Sequence, residues 1–250
     1  MDFAENLEIY SAYPNYAGQE IAWLDTDTEK RFRRNRVDIQ KRAMLEEFGW
    51  DKRNPTYKIN SNGFRSPEFK KGEDNIVFLG CSHTVGVGVK LSDSFSHLVS
   101  QSLGLQNYNL GQGGGSMQTA FRIGHHWIPK LKPKIVVLMG PEKTRSEIIM
   151  GDTPVPLGAH TRETNFRLWN YIKLHLSNDE NIRLDFLAHK LALEKISADV
   201  GARFIGLESE HDIILPEDKT IFDWGRDLSH HGRLTHKHTA EHILSKIQKA

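Results

Sequence analysis

Four short apolar runs most constrain the fold of this chain. IVFL at residues 76–79, YNL at 108–110, IVVLM at 135–139 and FIGL at 204–207 are too short for buried helices, and IVFL and IVVLM lack the alternation of a strand with one wet face. Between them the apolar spacing is helical. Phe95, Leu98, Val99 and Leu103 share one face behind Ser94, a capping residue, and Phe186, Leu187, Leu191, Ile196 and Val200 trace a longer helix that Gly201 should end. A last helix is expected over 235–248. Strand and helix in alternation make βαβ units, so the expected class is α/β, a doubly wound three-layer α/β/α sandwich around a central parallel sheet. Ligands of such sheets bind outside the carboxyl ends of the strands. Four loops therefore matter: GCSHTVGVG (80–88), GQGGGSMQ (111–118), GPEKTRSE (140–147) and GRDLSHHG (225–232).

The first 72 residues break this rhythm. Aromatic and polar residues mix, prolines fall at Pro14, Pro55 and Pro67, and one helix is expected over 28–48. Residues 1–72 thus read as an N-terminal extension to an α/β domain of 73–250. The single cysteine, Cys81, allows no internal disulfide framework and is expected to be a buried structural thiol. With 33 Lys and Arg against 32 Asp and Glu, the net charge of +1 leaves no strong footprint for nucleic acid or membrane. The basic cluster EKRFRRNR (29–36) is flanked by acids and reads as a solvated helix face. MDFAENLEIY has acids where a signal peptide has bases, and no run approaches the roughly 18 apolar residues of a membrane span. A cytoplasmic location is expected, or a virion if a phage encodes the chain.

The first loop admits three readings. A P-loop needs GxxxxGK[ST], but no lysine is in place, and Gly86 with Gly88 does not complete the dinucleotide fingerprint GxGxxG. The third reading makes Ser82 a nucleophile at the carboxyl edge of the sheet, which requires an imidazole to take its proton and a carboxylate to hold that imidazole. Asp227 and His230, three residues apart, would face one pocket from a single helical turn. Against this, Ser82 could merely cap a helix. His230 could belong with His231, His236, His238 and His242 to a surface or a metal site, although no acid or cysteine stands with them in a fixed frame, so no metal is expected. His125 and His126 are expected at a helix end. His83 either fills the turn or contacts substrate. Gly111, Gly113, Gly114 and Gly115 suggest close backbone approach to a ligand, and Asn109 is expected to hydrogen-bond its turn.

Several of these segments carry a family resemblance. GCSHT after the first run, NLGQGGGS (109–116) after the second and RDLSHHG near the end look like the first, second and fifth blocks of the SGNH/GDSL hydrolases. INSNGFRSPEF (59–69) looks like a lead-in of members from bacteria and tailed phages. The resemblance implies a flavodoxin-like fold from about residue 75 and ester hydrolysis through an acyl-enzyme, with no cofactor. In those terms Ser82 is the nucleophile, His230 the general base and Asp227 its orienting partner, and the backbone N–H groups of Ser82 and Gly114 form the oxyanion hole.

The block after IVVLM departs from the family. Where an asparagine usually donates to the oxyanion, the nearest residue is Glu142, which cannot donate when ionised. Losing one such donor costs on the order of 100 to 1000-fold in rate. Lys143 or Arg145 would then have to reach the pocket, or this block, through Glu142 and Lys143, contacts the substrate. Two functions fit: an esterase acting on an ester-bearing small molecule or glycan, with residues 151–160 shaping specificity; or an SGNH-fold assembly protein, such as a phage virion or tail component, whose aromatic extension clasps a neighbouring chain or a second copy.

Overall fold

Asn75–Leu79 is buried along its whole length, as a strand covered on both faces must be. The computed structural model describes residues 7–158, 161, 166–176, 178–207 and 222–249. Among these, β1 (Glu20–Ile21) and β2 (Tyr57–Lys58) form a small antiparallel ribbon in the N-terminal segment. The central sheet is parallel. It contains β3 (Asn75–Leu79), β4 (Gln106–Asn109), β5 (Ile135–Met139) and, beyond an antiparallel hairpin of β6 (Ser146–Met150) and β7 (Thr153–Leu157), β8 (Arg203–Leu207). Its order is β4-β3-β5-β8, so the chain reverses direction across the sheet at β3, and the loop after β3 opens at that switch point.

Alternation along the strands builds two cores. Val77, Leu79, Tyr108, Val136 and Leu138 pack under Trp127, Ile128 and Leu193 of the helices Met117–Leu131 and Asp179–Asp199. Ile76, Phe78, Val137, Met139 and Ile205 pack against Phe95, Val99 and Ile243 of the helices Phe95–Leu103 and Arg233–Lys249 on the other face. Helix, sheet and helix are the three layers expected.

Local capping moved several boundaries. The helix expected over 28–48 is two helices, Glu29–Val37 and Ile39–Glu47, because extended Asp38 accepts hydrogen bonds from the N–H groups of Gln40 and Lys41 and starts a new helix. The long helix begins at Asp179 because Asn178 caps it in the same way, and it ends before Gly201 as expected. His125 and His126 lie within the Met117–Leu131 helix, five or more residues before its last, where His126 stacks on Tyr10 at 4.0 Å. The hairpin was hidden by Pro154 and Pro156, which lack the N–H a central strand needs but are tolerated at an edge. It takes up residues 151–157 of the stretch expected to shape specificity; residues 159–160 lie outside the described residues.

The N-terminal segment packs against the rest of its own chain. Tyr13, Leu24, Tyr57 and Ile59 cluster with Val85 and Val87, and Leu45 and Trp50 with Val89. Arg65, 1% exposed, donates to the carbonyls of Val85, Gly86 and Val89 and so braces the stretch that follows Ser82. Among the described residues, no helix is long and apolar enough to cross a membrane.

Candidate active site

Past β3, Gly80 and Cys81 turn the chain, and Ser82 opens the four-residue helix Ser82–Val85. Cys81 is buried and takes part in no disulfide. Ser82 Oγ lies 2.8 Å from His230 Nε2, and His230 Nδ1 lies 2.7 Å from Asp227 Oδ2. An alcohol, an imidazole and a carboxylate from opposite ends of the domain therefore meet in a hydrogen-bonded line.

Asp227 and His230 are not on a helical turn. Residues 226–230 are irregular, Leu228 has φ +50°, and the last helix starts only at Arg233. Asp227 Oδ1 accepts the backbone N–H groups of Ser229 at 3.1 Å and His230 at 3.0 Å. A short acidic side chain that captures the backbone N–H groups two and three residues on competes with the helix and wins here.

Burial alone would raise the Asp227 carboxyl. The hydrogen bond and charge of His230, joined by the Thr26 hydroxyl, outweigh it and hold the group below the usual carboxylate range. The ring of His83 sits 4.8 Å from that of His230 and 4.4 Å from that of His231. Burial, reinforced by those neighbouring imidazoles, pushes His83 well below the ordinary histidine range and keeps it neutral.

Several residues of the site come from the N-terminal segment, where no spacing announces them. Thr26 Oγ1 donates to Asp227 Oδ2 at 2.6 Å and lies 3.1 Å from His230 Nδ1. Arg31 approaches Asp227 to 4.0 Å, and Asn35, buried, donates to the Asp227 carbonyl at 3.4 Å. The cluster at 29–36 is thus only partly a solvated face: Arg33 is exposed, while Arg31 and Asn35 turn inward to brace the Asp227 loop. Trp50 Nε1 donates to the Trp224 carbonyl at 2.7 Å on the same loop. Gly88 explains the glycines that imitated a nucleotide motif. Its φ is +84°, and a Cβ there would lie 3.1 Å from both Arg226 N and Gly225 Cα and 3.2 Å from Asp227 Oδ1.

Over residues 111–115 of the second loop, four of five backbone donors are occupied. Gly111 N–H goes to Asn109 Oδ1, Gln112 to the Gly80 carbonyl, Gly113 to the Tyr13 hydroxyl and Gly115 to the Gln112 carbonyl. The N–H of Gly114 has no acceptor among the described residues, and neither has that of Ser82. Asn109 secures the turn as expected, donating to the Thr84 carbonyl at 2.5 Å and to Ser96 Oγ at 3.0 Å.

In the third loop Glu147 takes Arg122 and Thr119, away from Glu142. Glu142 is exposed, accepts from Thr144 Oγ1 at 2.5 Å and pairs with Arg145 at 3.4 Å, and the Lys143 ammonium lies 5.1 Å from the centre of the Phe186 ring. Among the described residues, no group of three or more His, Cys, Asp or Glu is placed to hold a metal ion. His236 is buried instead, its Nδ1 accepting the Phe95 N–H at 3.2 Å.

No protein-family model matches this chain, and no curated protein matches it at a significant level. The solved structures it is similar to include GDSL-like lipases, acylhydrolases and carbohydrate esterases. A member of the lipolytic G-D-S-L family from Veillonella parvula shares 15% identity at a TM-score of 0.37, over 70% of this chain and 99% of that one. A candidate GDSL-like lipase from Bacteroides ovatus shares 14% at 0.37, over 71% of this chain and only 53% of the other. A family 3 carbohydrate esterase from Clostridium thermocellum shares 15% at 0.35, over 69% and 94%. TM-scores this low do not define a fold, so the fold class rests on the sheet order and the chemistry on the distances above.

Proposed function

We propose that this protein is a serine hydrolase of the SGNH type that cleaves O-acyl esters of small molecules or glycans through an acyl-serine intermediate. The observation that carries the reading is the unbroken line from Asp227 through His230 to Ser82, at 2.7 and 2.8 Å.

With Nδ1 bonded to Asp227, His230 presents the Nε2 lone pair to Ser82. As Oγ attacks the ester carbonyl carbon, its proton passes to Nε2, and Asp227 stabilises the imidazolium that forms. The negative charge on the former carbonyl oxygen is met by the N–H groups of Ser82 and Gly114, both without acceptors among the described residues. Collapse of the intermediate breaks the C–O bond, and the departing alkoxide takes the Nε2 proton. Water then gives a proton to Nε2 and its oxygen to the acyl carbon, which frees the acid and returns the proton to Ser82. With Glu142 exposed and bonded within its own turn, two backbone donors carry the oxyanion in this scheme.

Turnover of p-nitrophenyl acetate and labelling by a fluorophosphonate test the proposal. Ser82→Ala should abolish both and leave the fold intact. Equal turnover by the pure variant and the parent overturns it.

A further inference from the structure

We propose that Thr26 is a positioning residue of this hydrolase, whose hydroxyl fixes the Asp227 carboxylate and the His230 imidazole against Ser82. The proposal rests on the reading of Ser82, Asp227 and His230 as a catalytic set.

The Asp227 carboxylate accepts four hydrogen bonds. Three come from within its own turn: the N–H groups of Ser229 and His230 on Oδ1, and His230 Nδ1 on Oδ2. The fourth, from Thr26 Oγ1 at 2.6 Å, arrives from a segment 201 positions away. The three local bonds tie carboxylate and imidazole to each other, yet they would let both swing together with the loop. Asn35 and the Asp27–Arg226 pair brace the backbone around Asp227, and the Thr26 bond restrains the carboxylate itself relative to the rest of the domain. Its oxygen also lies 3.1 Å from His230 Nδ1, so the hydroxyl touches both members of the pair at the atoms where they meet.

The turn that carries the hydroxyl is itself held on both sides. Leu24 and Asp27 close a tight turn through two backbone bonds of 3.0 Å. On one flank Asp25 accepts from the Tyr13 hydroxyl at 2.7 Å. On the other Asp27, buried, takes the guanidinium of Arg226, the residue immediately before Asp227. A donor this constrained does for a carboxylate–imidazole pair what outer hydrogen-bond partners do for metal ligands, where removal costs about 10 to 100-fold in affinity or activity.

The test compares Thr26→Val, which keeps the shape and loses the donor, with Thr26→Ser, which keeps the donor. Turnover of p-nitrophenyl acetate is read as kcat and KM, with Ser82→Ala as the blank. Thr26→Val should lower kcat about 10-fold with KM unchanged, and Thr26→Ser should restore most of the loss. Wild-type kcat in Thr26→Val, or an equal loss in Thr26→Ser, overturns the positioning role while the hydrolase reading stands. If wild type neither turns over the ester nor labels with a fluorophosphonate, both proposals fall. Thr26→Ala repeats the measurement should Thr26→Val lose its cooperative melt; loss of the melt in both makes the hydroxyl structural and overturns the proposal.

Discussion

Asp27 and Arg226 form an enclosed ion pair, 2.7 Å at its closest, with side chains 0% and 1% exposed. It joins the N-terminal turn that carries Thr26 to the loop that carries Asp227. Tyr57 donates to the same carboxylate at 2.5 Å, and the guanidinium lies 3.9 Å from the centre of the Trp23 ring. A buried pair adds little net stability over apolar residues, but losing one partner strands the other charge. Asp27→Ala should therefore destabilise the protein by about 3–5 kcal/mol in urea unfolding. A change within the ordinary scatter of surface substitutions would show that water reaches Arg226.

Gly88→Ala should damage stability and turnover together. The positive φ is strained for alanine, at a cost of roughly 1–3 kcal/mol, and the new methyl group can be accommodated only by moving the backbone at Gly225 and Arg226 or the carboxylate of Asp227. Gly104→Ala is the control, with φ +66° and nothing within 4 Å of the added carbon. It should lose stability and keep kcat. Equal kcat in the two variants would mean that the Asp227 loop yields without consequence.

Acid should weaken the fold through buried histidines. Burial, then the nearby His231 and Arg65, lower His236 to about 3. Its neutral form is the one that folds, so its contribution is complete above the unfolded value near 6.5 and is lost as pH falls toward the folded one. At pH 5 that amounts to about 2 kcal/mol, and His83 shifts in the same direction. The urea midpoint should drop between pH 7 and pH 5, and His236→Asn, which keeps an acceptor for the Phe95 N–H, should drop less. Identical pH dependence in the two proteins would rule out a buried neutral His236.

Deleting residues 1–72 should prevent folding of the remainder. Val85, Val87 and Val89 would lose their apolar cover, the three carbonyls served by Arg65 would lose their donor, and Asp227 would lose Thr26. A soluble fragment with a cooperative thermal transition would show that the domain needs no extension.

The layers were legible because their cause is short-ranged. The apolar runs of β3 and β5 are of strand length and too short for helices, and helical spacing between them supplies the cover. Strand β4, with three polar residues in four, shows the pattern only at Tyr108. Ser82, Asp227 and His230 were legible as chemical types, each in a loop at a strand's carboxyl end or beside it. The break at Asp38 and the edge hairpin with its two prolines were less so, because one side chain that captures a nearby N–H, or one missing donor, outweighs the apolar pattern locally.

By itself, then, the amino-acid order determined the α/β class and supplied the serine, aspartate and histidine on which the proposed acyl chemistry rests, since both depend on periodicity and functional groups within a few positions. Only the tertiary structure decided that Asp227 and His230 share an irregular turn and that Thr26, Arg31 and Asn35 close on it from the N-terminal segment. Those contacts depend on where the chain returns in space after about 200 positions, and no local pattern encodes that return.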